Sequence, residues 1–275
     1  GSSLGISKVK EISQLATAIE FAKEGHNLIL CARQIDKLET IKEMLEKQYE
    51  VTVEVHKLDV TDYDAVKQLS EKLKQSNVNI DVLINNAGFA IAPAGAEESS
   101  MQQAQAIFDT NFFGVVRMTR AVLPVMREQK SGLILNISSI LGLLPTPFGA
   151  LYSASKHALE GYSESLDHEL RSQGIRVSLI EPAYTKTSLG INLLEADAKV
   201  SAYDHIREKL HQHMIKSINK SDDPSVVAKT ILTVINSQNI LPRYTSGKAA
   251  KHLKNLRKFA PVKIFDTLIQ RSLKV

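Results

Sequence analysis

Tyr152 and Lys156 stand four residues apart in LYSASKHALEG, a spacing that puts two side chains on one face of a helix and within reach of each other. A tyrosine that ionises near pKa ~10 is a poor proton donor or acceptor at neutral pH. An adjacent ammonium favours the phenolate and makes the hydroxyl usable for acid–base work. Ser139 lies 13 residues before the tyrosine, at the end of an apolar run, where a hydroxyl could polarise a carbonyl. A bare Y-x-x-x-K pair is also common on exposed helices, so it does not fix a chemistry by itself.

Such a pair needs a helix to space it and a sheet to hold the serine. Short apolar runs at 26–33, 51–60, 80–88, 132–140 and 175–182 read as strands, the last four of them with turn residues or polar helices after them. Helical stretches lie between them at about 35–48, 62–74, 100–129 and 152–173. Buried strands alternating with helices predict an α/β fold, a doubly wound, Rossmann-like parallel sheet covered on both faces. No linker, repeat or low-complexity tract interrupts the chain, so residues 1–275 are expected to form a single domain. The pattern loosens over 183–222 and resumes with Asp223 as an expected N-cap and Pro224 at the first helical position. The last 30 or so residues read as two short amphipathic helices broken at Pro261.

The Tyr–Lys pair has company. NNAG at 85–88, Asn111 in DTNFFG, NISS at 136–139, YSASK at 152–156 and EPAYTKT at 181–187 follow in one order. In that order and spacing the chain resembles the classical short-chain dehydrogenases/reductases, from about Ala16 to Thr187. The tail beyond Leu241 is most similar to the hydroxysteroid- and retinol-dehydrogenase-like branch. The resemblance implies Tyr152 as the catalytic acid/base, with Lys156 lowering its pKa and binding the nicotinamide ribose. Ser139 would hold the substrate oxygen, and Asn111 would anchor a water that relays protons past Lys156. Asn85, Ala87 and Gly88 would line the cofactor, Asp59 would meet the adenine, and Pro182 and Thr187 would sit beside the nicotinamide and phosphates. The family's Pro-Gly is Pro182-Ala183 here, which stiffens that loop. Copies would pair through the helices near 100–129 and 152–173 into a homodimer or homotetramer.

Cofactor choice turns on the end of the second strand, where an acid suits NAD and an arginine accommodates the 2′-phosphate of NADP. The residues there are Cys31-Ala32-Arg33, with no acid before Asp36. NADP is the expectation, held by the Arg33 guanidinium, with NAD the less favoured alternative.

The N-terminus fits less well. In GSSLGIS, Gly1, Gly5 and Ser7 have the spacing of a pyrophosphate-binding glycine turn, with serine where a third glycine allows close helix–strand packing. Gly1 and Gly5 are therefore candidate cofactor residues. The helical body ATAIEFAKEG begins only at Ala16, so the helix is either extended, with Val9, Ile12, Ala16 and Ile19 on one face, or set by a register that ignores the glycines. No apolar strand precedes the turn. The expectation is a sheet whose first strand is missing or altered, which would strand the backbone groups of two neighbours.

Composition sets the remaining bounds. A chain with 43% apolar and 23% charged residues can build a sizeable core, and one cysteine, Cys31, forms no internal disulfide. No apolar run reaches the ~18 residues of a membrane span, and no secretory leader is evident, so a cytoplasmic protein is expected. The net charge of +4 is uneven: residues 243–275 carry +8, leaving −4 for the rest. A basic tail suggests a solvated face or weak peripheral contact with a membrane; no nucleic-acid partner and no metal are expected. The function expected is an NADP-dependent oxidoreductase interconverting an alcohol and a ketone or aldehyde on a small apolar, lipid-like substrate. Residues 185–222, with Leu189, Ile191, Leu193 and Leu194, would cover that substrate. The rival expectation, drawn from the degenerate glycine turn, is an impaired family member acting as a binding or scaffolding module.

Overall fold

The computed structural model describes residues 3–7, 12–185 and 193–272. Seven parallel strands form its sheet: β1 (Ser3–Ser7), β2 (Asn27–Ala32), β3 (Val53–Lys57), β4 (Val82–Asn85), β6 (Gly132–Ile137), β7 (Ile175–Pro182) and β9 (Arg243–Ser246). Their spatial order is β3-β2-β1-β4-β6-β7-β9, and a separate pair joins β5 (Ala90–Ile91) to β8 (Leu193–Leu194). The order reverses between β1 and β4. That reversal opens a crevice at the carboxyl ends of the strands, where ligands of doubly wound sheets bind.

Both faces of the sheet are covered, which is why its strands read as apolar runs. Side chains on alternate positions go to opposite faces. Leu28, Leu30, Ile84 and Leu135 pack with Phe21 of α1 (Ile12–Lys23), Leu38 of α2 (Ile35–Gln48) and Ile231 of α8 (Ser225–Ile235). Ile29, Cys31, Leu83 and Ile134 pack with Leu69 of α3 (Tyr63–Gln75), Met118 and Val122 of α5 (Gly114–Gln129) and Leu166 of α6 (Ala150–Leu170). The remaining helices are α4 (Met101–Phe108), α7 (Asp204–Asn219), α9 (Lys248–Phe259) and α10 (Val262–Ser272). Asp62 caps α3 by accepting from the Ala65 amide. Pro224 takes the cap position of α8 itself, so that helix begins one residue later than expected. Pro261 separates α9 from α10, as its fixed φ and missing amide require.

The N-terminus corrects an expectation. The first strand is not missing: Ser3–Ser7, the stretch read as a glycine turn, is the central strand. Gly5 lies mid-strand, opposite Ile29 on one side and Leu83 on the other, and not in a turn. The energetics favour this placement. A glycine inside a strand costs about 0.5–1 kcal/mol, whereas each buried backbone group left without a partner costs about 1–3 kcal/mol, and β2 and β4 would each present several. The chain returns from β1 through residues 8–11, Lys-Val-Lys-Glu, which like Gly1 lie outside the described residues. Helix α1 starts at Ile12, so part of the extra sequence before Ala16 lengthens the helix.

Candidate active site

Helix α6 starts at Ala150, directly after Gly149, and carries Tyr152 and Lys156 on successive turns. The Lys156 ammonium nitrogen lies 5.8 Å from the centre of the Tyr152 ring. Lys156 is buried and donates one hydrogen bond of 2.8 Å to the carbonyl of Ile137, the last residue of β6. Burial pushes its pKa down to about 8, against the upward pull of the Glu160 carboxylate one turn further along the helix. The lysine is held in place with little to satisfy its charge.

Asn111 sits in a π-helical turn, Asp109–Phe113, that joins α4 to α5. Such one-turn bulges insert an extra residue into a helix and are frequent at functional sites. The turn aims the Asn111 amide at the backbone of Phe89: Oδ1 accepts from the Phe89 amide at 3.0 Å, and Nδ2 donates to the Phe89 carbonyl at 3.0 Å. The same Nδ2 donates to Ser155 Oγ at 3.1 Å, and Ser155 in turn donates to the Tyr152 carbonyl. Gly88 closes the group. A Cβ there would stand a tight 3.1 Å from Asn111 Oδ1 and in ordinary contact, 3.7 Å, with Lys156 Nζ, so Gly88 leaves room beside both groups.

Ser139 follows β6 and caps a short 3₁₀ turn, Ile140–Gly142, its Oγ accepting from the Leu141 amide at 3.2 Å. Its neighbour Ser138 points inward and donates to Glu160 at 2.8 Å. Glu160 belongs to a buried cluster around Arg243, the first residue of β9. That guanidinium bonds Glu160 and Glu164 of α6 and, at 2.8 Å, Glu181 of β7. Glu181 is fully buried, and its Oε2 has no hydrogen-bond partner among the described residues. Burial, then the nearby Glu160 carboxylate, push its pKa up to about 7.

On the other side of the crevice, Arg33 directly follows β2 and lies 3.8 Å from Asp59, beyond β3. Asp59 also accepts from the amide and hydroxyl of Thr61. Ala87 and Gly88 follow β4, and Pro182 ends β7. Asn85 is buried at the end of β4: its Nδ2 donates to Asn136 at 2.9 Å and to Thr119 at 3.4 Å, bracing β4 against β6 and α5, while its Oδ1 has no hydrogen-bond partner among the described residues. Thr187 lies outside the described residues, as do Leu189 and Ile191.

Tyr152 opens onto a cleft of about 260 Å³. Ile91, Phe148, Leu193, Leu210 and Met214 line it, with Tyr184, His213 and Ser217 as polar neighbours. Phe148 has φ +60°, unusual for a bulky residue. Its ring meets Tyr203 edge-on at 5.7 Å, and its carbonyl accepts from the Ala94 amide, which together hold that conformation. The α7 residues of this wall had no sequence signal beyond helical periodicity. Ser155 could have been found, since it lies inside the YSASK motif. A separate hollow of about 360 Å³ between α3 and α5, lined by Tyr63, Phe113 and Arg117, includes none of the residues around Tyr152.

Comparison with known proteins agrees with this geometry. The family model described as short chain dehydrogenase matches residues 14–198. An uncharacterised oxidoreductase of Bacillus subtilis, YusZ, is 35% identical over 94% of this chain and 94% of its own. A 3-ketodihydrosphingosine reductase of Bacteroides thetaiotaomicron is 45% identical over 49% of this chain and 50% of its own. Among solved structures, ElxO with NADP bound superposes with a TM-score of 0.74 at 26% identity, covering 89% of this chain and 96% of that one. The chain, with its reversed sheet order and its Asn–Ser–Tyr–Lys set gathered at one end of the sheet, therefore belongs to the short-chain dehydrogenase/reductase family of oxidoreductases.

Proposed function

We propose that the protein is an NADP-dependent oxidoreductase that interconverts an alcohol with a ketone or aldehyde on an apolar, lipid-like substrate, in the branch that resembles hydroxysteroid and retinol dehydrogenases. One observation carries the reading: Gly88, Asn111 and Lys156 lie together, with the Lys156 ammonium 5.8 Å from the ring of Tyr152, which itself lines an apolar cleft. The space kept open at Gly88 and the nearly unpaired buried ammonium of Lys156 fit a ribose and nicotinamide, and Arg33 beyond β2 fits a 2′-phosphate. When bound, NADPH supplies a hydride to the carbonyl carbon, and NADP accepts it in the reverse direction.

The chain's own residues do the rest. Ser139 donates to the carbonyl oxygen and polarises it. Tyr152 delivers its phenolic proton to that oxygen as negative charge develops, and Lys156 stabilises the phenolate left behind. Asn111, locked to Phe89 and Ser155, fixes the π-helical turn against α6, and the Ile137 carbonyl holds Lys156. Ile91, Phe148, Leu193 and Met214 take up the apolar body of the substrate and exclude water. The segment containing β8 and α7 covers it. The B. thetaiotaomicron relative, named for a sphingoid ketone, supports a lipid-like substrate.

The test is direct. The purified chain should quench and shift NADPH fluorescence on titration, and should oxidise NADPH with long-chain or polycyclic ketones. Tyr152→Phe should lower kcat by about 10²–10⁴, the usual worth of a positioned acid, with little change in NADPH binding. No NADPH binding at millimolar cofactor, or full turnover by Tyr152→Phe, would reject the reading.

A further inference from the structure

The C-terminal helices expose apolar side chains that the active site does not use. At the corner between α9 and α10, Phe259 is 71% and Val262 78% exposed. Ile264, 53% exposed, and Leu268, four residues apart, share one side of α10. Val262, two residues before Ile264, lies round the helix beside the groove that Phe265 also borders. The adjoining stripe of α10, about 100° round the axis, is already used: Phe265 and Ile269 pack with Ile140, Leu144 and Ala250. The helix thus has two apolar faces, one seated on the protein and one uncovered.

The uncovered face is ringed by cations. Lys258 lies over the Phe259 ring at 5.2 Å, Lys263 adjoins Val262, and Arg271 stands one turn or so beyond Leu268 on the same side. Lys248, Lys251 and Lys254 line α9, and one carboxylate, Asp266, stands among them. Aliphatic groups at the centre and long basic side chains around them form the pattern of an interfacial helix, whose lysine and arginine stems lie along the apolar surface while their charges reach outward. A second copy of the chain would bring the same cations against these, which repels; a nucleic acid would leave the aliphatic centre without a partner.

We infer that the α9–α10 corner docks the protein on an anionic lipid bilayer, with Phe259, Ile264 and Leu268 entering the headgroup boundary and the surrounding lysines and arginine facing acidic headgroups. Thr146 and Pro147 line both the cleft at Tyr152 and the groove beneath α10 that Val262 and Phe265 border. A docked tail therefore holds the mouth of the cleft beside the lipid phase. This last consequence rests on the proposed activity; the docking does not.

The experiment uses the full chain and vesicles of phosphatidylcholine alone or mixed with phosphatidylserine, read by co-sedimentation. The chain should sediment with the mixed vesicles and not with the neutral ones, and binding should fall several-fold as salt is raised. Ile264→Glu with Leu268→Glu should weaken binding at least tenfold. Met101→Glu on α4, 70% exposed and equally apolar, should leave it within twofold. Both positions are solvent-facing, and a thermal melt verifies that each variant is folded; Lys258→Ser with Lys263→Ser gives the electrostatic half independently. Failure of the wild-type chain to sediment overturns the docking, as does equal loss by the Met101 control. So does a concentration-dependent dimer that the Ile264/Leu268 variant dissolves, since the face then joins copies. None of these readouts involves turnover, so failure here leaves the proposed activity standing.

Discussion

Lys156 and Arg243 are two cations held against the same helix, α6, under opposite terms. Lys156 is buried with one carbonyl as its hydrogen-bond acceptor, and its pKa falls to about 8. Arg243 bonds three carboxylates, Glu160, Glu164 and Glu181, which raise its pKa despite burial. Glu160 stands between them, bonded to Arg243 and close enough to Lys156 to resist its loss of charge. The difference separates a group kept reactive from a group kept still. An under-satisfied cation can stabilise charge that appears during a reaction, whereas a saturated one has no capacity left and serves to tie β9 and the tail behind it to α6 and β7.

Removing each cation should therefore have opposite consequences. Arg243→Met leaves buried carboxylates without their counter-charge, and should cost about 3–5 kcal/mol of stability, read as a lowered midpoint in urea; an unchanged midpoint would end the contrast. Lys156→Met should lower kcat by about 10²-fold or more with no loss of stability. Its folded pKa lies below the unfolded value, so burial of the ammonium penalises the native state fully below pH 8 and ceases to do so as pH rises through the unfolded value. Deleting the ammonium removes that penalty at neutral pH. By the same token, kcat of the wild type should decline as pH rises through about 8, where Lys156 loses its proton.

A smaller effect tests the shared carboxylates. Glu181 has a folded pKa raised to about 7. Its burial carries no penalty below the unfolded carboxylate value, and stability is lost as pH rises through 7. Glu181→Gln should keep the bond to Arg243 and remove that loss, on the order of 3 kcal/mol at pH 8, seen as a flatter profile of melting temperature against pH. The smallest effect concerns Arg33, exposed at the far side of the crevice. Arg33→Ser should weaken NADPH about tenfold, or ~1.4 kcal/mol, and leave NADH unchanged; equal loss for both cofactors would refute a role in 2′-phosphate binding.

The Lys156 side of this comparison was legible in the sequence and the Arg243 side was not. Tyr152 and Lys156 are related by one helical turn, and their strand and helix carry strong local patterns. Arg243 meets partners 62 to 83 residues earlier in the chain. Its strand, Arg-Tyr-Thr-Ser, is a short edge strand with no apolar run to announce it. Strand β1 was hidden for a related reason: Ser-Leu-Gly-Ile-Ser has weak strand propensity, and its place is set by the open edges of β2 and β4. The motif placed Asn85 beside the cofactor but gave no sign of its cross-strand partners, since Nδ2 reaches Asn136 and Thr119, 51 and 34 residues on, while Oδ1 has no partner among the described residues.

The π-helical turn at Asp109–Phe113 has a further consequence for how this chain can vary in length. One surplus residue rotates everything after it by about 100° around the helix axis, and that rotation aligns Val115, Met118 and Val122 with the sheet while Asn111 meets Phe89. A deletion of one residue here would swing the whole inner stripe of α5 toward solvent. Length itself is a specified quantity at Asp109–Phe113, as much as the identity of any side chain within it.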